Sequence, residues 1–170
     1  MDPRLKSLLT LSVLGALLVV GAAWGLSAVT QPFPGRADAP VCVDVSFAQG
    51  ERITRSDVTV SVLNAGTRNG LAGLTMDLFV DAGFGEGQEG NSEDGPRVRT
   101  VEIWTEEPRH PAVLLVARQL GDAVEVVRRE PTTAGVQVVV GDRFDDLVRG
   151  PRTIVARTDV EVCGASSDVG

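Results

Sequence analysis

The sequence has few of the side chains on which most enzyme chemistry depends. Its 170 residues include one histidine, His110, two cysteines, Cys42 and Cys163, and one lysine, Lys6. No serine stands in a G-x-S-x-G turn, and two distant cysteines with one histidine are too few for a zinc site. His110 precedes Pro111, which suits the first position of a helix, so we interpret it as a helix-entry residue. The sequence therefore predicts a protein that is not an enzyme and that needs no cofactor or metal.

Charge is absent from Ser7 to Gly35. Within this run, residues 8–29 are apolar and, at about 1.5 Å per residue, long enough for the roughly 30 Å hydrocarbon core of a bilayer. A cleaved signal peptide is the alternative, because Ala37-Asp-Ala39 is a small-x-small site. The long apolar run and Pro40, which disfavours cleavage, favour an uncleaved transmembrane helix.

Two basic residues, Arg4 and Lys6, precede this helix, so the positive-inside rule places the N-terminus in the cytoplasm and the rest outside the plasma membrane. Gly21 and Gly25 form a small-xxx-small pair on which a second anchor helix could pack. The predicted layout has five parts: a cytoplasmic tail (1–7), a transmembrane anchor (8–29), a Pro-rich stalk (30–40), an extracytoplasmic domain (41–163) and a flexible tail (164–170).

The extracytoplasmic part is acidic. Of the 16 basic and 23 acidic residues, Arg4, Lys6 and Asp2 precede the anchor, which leaves 14 arginines against 22 acids and a net charge of −8. An acidic surface repels nucleic acid and other polyanions, so nucleic-acid binding is excluded. The predicted partners are the lipid bilayer, through the anchor, and peptidoglycan or envelope proteins, through the domain.

In the stretch Asp57–Phe84 the spacing of apolar residues changes from that of a strand to that of a helix. Val58, Val60 and Val62 alternate with polar residues, which predicts a strand with one face better buried than the other. A helix is predicted next, and its buried stripe is expected at Leu71, Leu74, Thr75, Leu78, Phe79 and Ala82. Gly83 suits the left-handed position after the helix, with Phe84 folding back onto the last turn.

Three pieces of the chain resemble the C-terminal domain attached to many LytR–CpsA–Psr cell-envelope proteins. They are VSVLNAGTRNGLAGL, the AGF that ends the helix, and VVVGDRF at Val138–Phe144. In that family a strand typically ends in VLNG or VLNA, a GLA helix ends in GF, and a last strand ends in LG-x-DF. Here Arg143 stands between Asp142 and Phe144, where the family usually has no residue. The resemblance covers about Asp57 to Phe144 and implies a small, stand-alone, membrane-anchored actinobacterial member.

The other segments predict further strands and one more helix. A helix is expected to begin at Pro111 and end at Gly121, and the apolar run Val136–Val140 predicts a central strand buried on both faces. The order β-β-α-β-α-β-β-β predicts an α+β domain of the ferredoxin-like or split βαβ kind. It would have a mostly antiparallel sheet with two helices on one face, extended by N- and C-terminal strands, after the N-terminal transmembrane helix.

Two segments outside the helices have specific interpretations. Cys42 and Cys163 lie at the two ends of the domain, in an oxidising compartment, so we expect a disulfide between them.

The segment Gly83–Gly95 has five glycines and four acids. We interpret it as a mobile surface loop, with a calcium site as the alternative.

The loop Asn64–Gly70 is the predicted binding site. It precedes the N-terminus of the first predicted helix, where free N–H groups and a partial positive charge favour an anion or a polar glycan group. Thr67, Arg68 and Asn69 would add side-chain donors, and Asn64 and Gly70 would shape the loop. The alternative is that these residues only form the turn and cap the helix.

The sequence as a whole favours a membrane-tethered, extracytoplasmic, non-catalytic binding or accessory module of the cell envelope. One alternative is a structural scaffold that dimerises through the anchor. Another is an accessory subunit of a glycopolymer phosphotransferase, because relatives of this domain are fused to such an enzyme. The catalytic domain of those relatives is a separate, larger unit, and no part of it is recognisable in this chain.

Overall fold

The computed structural model describes residues 12–22, 42–92 and 95–165. The chain divides into two units, Met1–Ala39 and Pro40–Gly170. In the first unit, residues 12–22 form helix α1. None of the helices in the described ranges has both the length and the apolar character that a membrane crossing requires. The predicted cytoplasmic tail and stalk, the rest of the predicted anchor, which includes Gly25, and the residues after 165 lie outside the described residues.

The second unit is an α+β domain, as predicted. Its elements are β1 (Cys42–Phe47), β2 (Arg52–Thr54), a 3-10 turn (Arg55–Asp57), β3 (Thr59–Asn64), α2 (Leu71–Asp81), β4 (Gly85–Asn91), β5 (Val101–Thr105), α3 (Pro111–Leu120), a second 3-10 turn (Gly121–Ala123), β6 (Val124–Arg128), β7 (Val136–Val140), β8 (Thr153–Val155) and β9 (Val160–Ala165). The last strand ends two residues beyond the predicted domain boundary.

The central sheet has five strands in the order β4-β3-β7-β5-β6. Three of its four pairings are parallel, and only β5 and β7 run antiparallel. The prediction of a mostly antiparallel sheet is therefore wrong. Helix α2 connects the parallel neighbours β3 and β4, and α3 connects β5 and β6, so the sheet consists of two βαβ units joined through β7. Hydrophobic alternation predicts which face a residue occupies but not which strand lies beside it.

Both helices pack on one face of this sheet, as predicted. Val60 and Val62 of β3 share one buried core with Phe79 of α2 and with Leu115 and Val116 of α3. The other face carries a smaller cluster of Leu63, Val98, Trp104 and Val139. Every residue of β7 is buried, which confirms the central position predicted for this strand.

Helix α2 buries a slightly different stripe from the predicted one. Its buried residues are Leu71, Ala72, Thr75, Met76 and Phe79, whereas Leu74 is 60% exposed. Gly83 has a positive φ of 92°, and Phe84 packs edge-on against Phe79 with ring centroids 5.5 Å apart. The predicted end of the helix is thus confirmed.

The acidic, glycine-rich segment is not the loop that its composition predicts. Most of it forms the edge strand β4, parallel to β3. A Cβ on Gly87 would lie 2.5 Å from Ser61 Oγ and 2.6 Å from the carbonyl oxygen of Val60, so glycine allows this close pairing. Among the described residues, no three His, Cys, Asp or Glu side chains are grouped so that they could hold a metal ion. Glu93 and Asp94 lie outside those residues.

The first and last strands form a separate antiparallel ribbon, β1-β9. Cys42 and Cys163 form a disulfide across it, with Cα atoms 5.3 Å apart, as predicted. Asp44 lies opposite Cys163 in the register, so the disulfide runs diagonally between the two strands. A third pairing, β2 with β8, also joins an early segment to a late one.

Candidate functional site

The predicted binding loop, Asn64–Gly70, leads from the end of β3 to the start of α2. Asn64 is buried and shapes the loop from within, because its Nδ2 donates to the carbonyl oxygen of Arg68 at 2.8 Å. Its Oδ1 accepts from the N–H of Gly66 at 2.9 Å. An Asx side chain that bonds its own loop in this way fixes the turn. Asn64 therefore has a structural role.

The loop is held by a residue from a distant part of the chain, Asp142. Its Oδ1 accepts hydrogen bonds from the main-chain N–H groups of Thr67, at 2.7 Å, and Arg68, at 3.0 Å. Its Oδ2 accepts from the Thr67 hydroxyl at 3.1 Å. A carboxylate of the protein thus already binds these two loop N–H groups, which lie before the start of α2 at Leu71. The hydrogen bonds hold the pKa of Asp142 below its usual range.

Arg68 extends the same connection. Its Nη1 donates to the carbonyl oxygens of Asp142, at 3.3 Å, and Phe144, at 2.9 Å. The two ends of the family-like stretch, VLNAGTR and VGDRF, thus form one structural unit. A Cβ on Gly66 would meet the Asp142 carboxylate, and one on Gly141 would meet the carbonyl of Val98. Glycine at both positions lets the two segments approach this closely.

The five predicted binding residues are contiguous, but they do not form one donor cluster. The side chain of Asn64 is turned to its own loop, and Thr67 and Arg68 are engaged by Asp142. Asn69 and Gly70 are exposed. Gly70 is the N-cap of α2 with a φ of 74°, and it offers no side-chain cap. The hydrogen bonds of Asn64, Thr67 and Arg68 shape the loop, and the Thr67–Gly70 surface stays exposed.

A cleft beside the loop contains arginines that the sequence does not predict to lie together. It has a volume of about 200 Å³, and Arg97, Arg99 and Arg143 line it together with Thr67 and Asp142. We call it the arginine cleft. It forms because the segment before β5 runs beside the segment after β7: the N–H of Arg143 donates to the carbonyl oxygen of Arg99 at 2.9 Å. The i, i+2 spacing of Arg97 and Arg99 around the buried Val98 is the one signal in the sequence for this arrangement.

His110 is the N-cap of α3, as predicted. Its Nδ1 accepts from the N–H of Ala112 at 3.3 Å, which leaves Nε2 as the donor to the carbonyl oxygen of Glu161 at 3.0 Å. Both ring nitrogens therefore serve the fold, by starting a helix and by joining it to β9.

The chain thus contains a small α+β domain with a sheet of two βαβ units. Asp142 holds the loop after β3 in place, and the residues of the family-like motifs have mainly structural roles. The family model described as "LytR cell envelope-related transcriptional attenuator" matches residues 57–144, just over half of the 170 residues. The chain belongs to this family, which confirms the resemblance that its sequence motifs indicate.

Other comparisons add little. The chain is similar to a crystal structure of the soluble domain of a conserved hypothetical secreted protein from Mycobacterium marinum. The identity is 21%, the match covers 59% of this chain and 77% of that one, and the TM-score is 0.44. No curated protein matches the chain.

Proposed function

We propose that this protein is a membrane-tethered, extracytoplasmic, non-catalytic binding module of the cell envelope. Its binding surface is the arginine cleft together with the exposed part of the adjoining loop, Thr67–Gly70. Its ligand is wall peptidoglycan, and the carboxylates of the peptide stems bind to this surface. Family membership supports the cell envelope as the setting, and the charge-free N-terminal run supports the tether.

The observation that carries the proposal is the local charge of the arginine cleft. The domain as a whole is acidic, yet three exposed guanidinium groups, of Arg97, Arg99 and Arg143, border one small cleft. Within residues 12–22, 42–92 and 95–165, none of these three side chains forms an ion pair or hydrogen bond. Guanidinium groups bind carboxylates through paired N–H donors, and three together select for an anionic group more strongly than one does.

The loop contributes rigidity. Asp142 binds two main-chain N–H groups of the loop, and Arg68 binds two carbonyl oxygens on the other side. A surface that is already ordered loses little conformational entropy when a ligand binds. Asn69, exposed at the tip, adds an amide that can both donate and accept hydrogen bonds to sugar or peptide groups.

The test is sedimentation of the full-length protein, in mild detergent, with purified peptidoglycan sacculi. The informative variant is the triple change Arg97→Gln, Arg99→Gln, Arg143→Gln, which removes the cleft charges and leaves the loop contacts in place. The matched control is Arg118→Gln, Arg149→Gln, Arg157→Gln, because these arginines are also exposed and their loss changes the net charge equally.

We expect the wild type and the control to sediment with the wall and the cleft variant to remain largely in the supernatant. Raising the salt concentration should weaken sedimentation, since exposed charge pairs are screened. Equal sedimentation of the cleft and control variants would remove the cleft from the proposal. No sedimentation of the wild type would exclude direct wall binding and leave envelope proteins as the partners to seek by crosslinking.

A further inference from the structure

We infer that the arginine cleft binds a group that carries both charges, with a carboxylate and an ammonium on the same carbon atom, as in the head group of a free amino acid. The carboxylate pairs with the guanidinium groups of Arg97, Arg99 and Arg143, and the ammonium pairs with the carboxylate of Asp142. The inference rests on the proposed function and narrows it, because a peptide stem offers such a group only where one residue keeps both its amino and its carboxyl group free.

The cleft contains opposite charges that do not pair with each other. Arg97, Arg99, Arg143 and Asp142 all line it, and all four are exposed. Within the described ranges, 12–22, 42–92 and 95–165, none of the three guanidinium groups forms an ion pair with Asp142. A ligand with both charges can therefore pair with each of them at once.

Asp142 still has an acceptor site for a cation. An ionised carboxylate offers about four lone-pair sites. Oδ1 accepts from the N–H groups of Thr67 and Arg68, and Oδ2 accepts from the Thr67 hydroxyl. Within the described part of the chain, no other group donates to this carboxylate. Oδ2 can therefore accept one more hydrogen bond, and an ammonium group is a donor of the opposite charge.

The balance of charge in the cleft favours a ligand with both groups over a simple anion or cation. Three guanidinium groups and one carboxylate line the cleft, so the repulsion among the arginines favours an anion. A simple cation would bind Asp142 but would be repelled by the arginines. A simple anion would bind the arginines but would be repelled by Asp142. A ligand with both charges avoids both repulsions.

The size of the cleft and its apolar residues define the rest of the ligand. Its volume of about 200 Å³ is smaller than the roughly 300–1,000 Å³ of pockets for drug-sized ligands, so it accommodates one small group. Ala65 and Val98 also line it, and Val98 is buried while Ala65 is half-buried. Small apolar substituents of the size of a methyl group suit such a lining.

The experiment uses three achiral probes with one carbon skeleton and the 15N-labelled full-length protein in detergent micelles. The probes are 2-aminoisobutyrate, which carries both charges, pivalate, in which a methyl group replaces the ammonium, and tert-butylammonium, in which a methyl group replaces the carboxylate. The reporters are the main-chain N–H groups of Gly66 and Thr67, two residues that line the cleft and are not substituted in any variant. Titrations at about 0.15 M salt, which screens charges beyond about 8 Å, give a dissociation constant for each probe.

We expect 2-aminoisobutyrate to bind roughly fivefold more tightly than pivalate and about tenfold more tightly than tert-butylammonium. Asp142→Asn removes the negative charge and keeps an oxygen that accepts from the loop, so it should erase the advantage over pivalate. Asp145→Asn is its control, because it removes an exposed carboxylate that does not line the cleft, and it should leave that advantage unchanged. The triple change Arg97→Gln, Arg99→Gln, Arg143→Gln should erase the advantage over tert-butylammonium.

A competition experiment tests whether the wall supplies the group. In the sedimentation assay, a saturating concentration of 2-aminoisobutyrate should release the wild-type protein from sacculi, and the same concentration of tert-butylammonium should not. Sedimentation that is insensitive to 2-aminoisobutyrate would overturn a stem residue as the source of the group.

The inference is overturned by any of three results of the titrations. These are the absence of a saturable shift at Gly66 and Thr67, equal affinity for 2-aminoisobutyrate and pivalate, and an advantage over pivalate that survives in Asp142→Asn. Equal affinity for the two probes would leave the binding of wall carboxylates in place. Selective binding of 2-aminoisobutyrate without sedimentation of the wild type would instead overturn wall binding and keep the preference for both charges.

Discussion

The carboxylate of Asp142 accepts a hydrogen bond of 2.7 Å from the main-chain N–H of Thr67, 75 residues earlier in the chain. This contact joins the loop after β3 to the segment after β7, two parallel neighbours in the sheet. It accounts for an aspartate at this position in physical terms: the carboxylate accepts hydrogen bonds from the N–H groups of Thr67 and Arg68 and so fixes the loop. The arginine cleft is built around the same contact.

Replacing Asp142 should loosen the loop and little else. In Asp142→Ala the N–H groups of Thr67 and Arg68 lose their acceptor, so we expect their hydrogen-exchange protection to fall on the order of tenfold. Asp142→Asn should give a smaller loss, because its amide oxygen still accepts hydrogen bonds but carries no charge. Exchange at single residues, followed by nuclear magnetic resonance, checks both. Asp145→Ala is the control, since this neighbour is exposed and forms no hydrogen bond with the loop within the described part of the chain. Unchanged protection in Asp142→Ala would contradict the role of the carboxylate.

Asp142 should also make stability depend on pH in a defined window. The hydrogen bonds from Thr67 and Arg68 lower the pKa of Asp142 in the folded protein, whereas an unfolded aspartate titrates near a pKa of about 3.9. The contribution is therefore complete above about pH 4 and is lost as the pH falls through the lower folded pKa. We expect the difference in melting temperature between wild type and Asp142→Asn to be constant from about pH 5 upwards and to narrow below about pH 4. A difference in melting temperature that widens on acidification would show that the predicted direction of the pH dependence is wrong.

Much of the fold follows from local patterns in the sequence. The helices were predictable because apolar residues recur at helical spacing and because Gly83 and Gly121 end α2 and α3 with positive φ. The disulfide was predictable because Cys42 and Cys163 have no competitors. Strand β4 was not predictable, since its sequence GEGQEGN lacks apolar alternation. It forms a strand only because its backbone pairs with that of β3.

The arginine cleft could not be predicted from the sequence, for a related reason. Arg97 and Arg143 are 46 positions apart, and they meet only because the segments beside β5 and β7 pair through hydrogen bonds such as Gly141 N–H to Thr100 O at 2.9 Å. Strand neighbours depend on the whole chain, while alternation records only burial. The same limit explains why two of the predicted donors, Thr67 and Arg68, proved to be engaged within the fold: nothing local indicates that Asp142 would reach Thr67.

Arg55 connects three parts of the domain by hydrogen bonds, so its replacement should lower the stability of the fold. Its Nη1 donates to the carbonyl oxygen of Ala82 at 2.9 Å, and its Nη2 donates to Gln119 Oε1 and to the carbonyl oxygen of Gly150, each at 2.8 Å. Burial lowers the pKa of Arg55, with Arg152 adding to the effect, but a guanidinium remains charged at neutral pH.

We expect Arg55→Met to lower the free energy of unfolding by about 2–3 kcal/mol, because it removes three hydrogen bonds to part-buried acceptors, at Ala82, Gln119 and Gly150. Urea denaturation measures this. Arg52→Met is the matched control, since Arg52 is exposed on the neighbouring strand β2, and it should change the free energy by less than about 0.5 kcal/mol. Equal losses in the two variants would show that the hydrogen bonds of Arg55 do not stabilise the fold.

The Cys42–Cys163 disulfide should stabilise the domain strongly while the five-stranded sheet stays intact without it. It spans 121 positions, and the chain-entropy model gives about 5 kcal/mol as the upper limit for a loop of that size. Strand β1 needs this support, since Val43 and Val45 are 51% and 42% exposed and add little to the core. In Cys42→Ser, Cys163→Ser we expect a lower melting temperature and faster amide exchange in β1 and β9, with the exchange of β3 and β7 unchanged until global unfolding. A reducing agent should reproduce this in the wild type and leave the double variant unaffected. Equal acceleration in β7 would mean that the ribbon and the central sheet unfold as one unit.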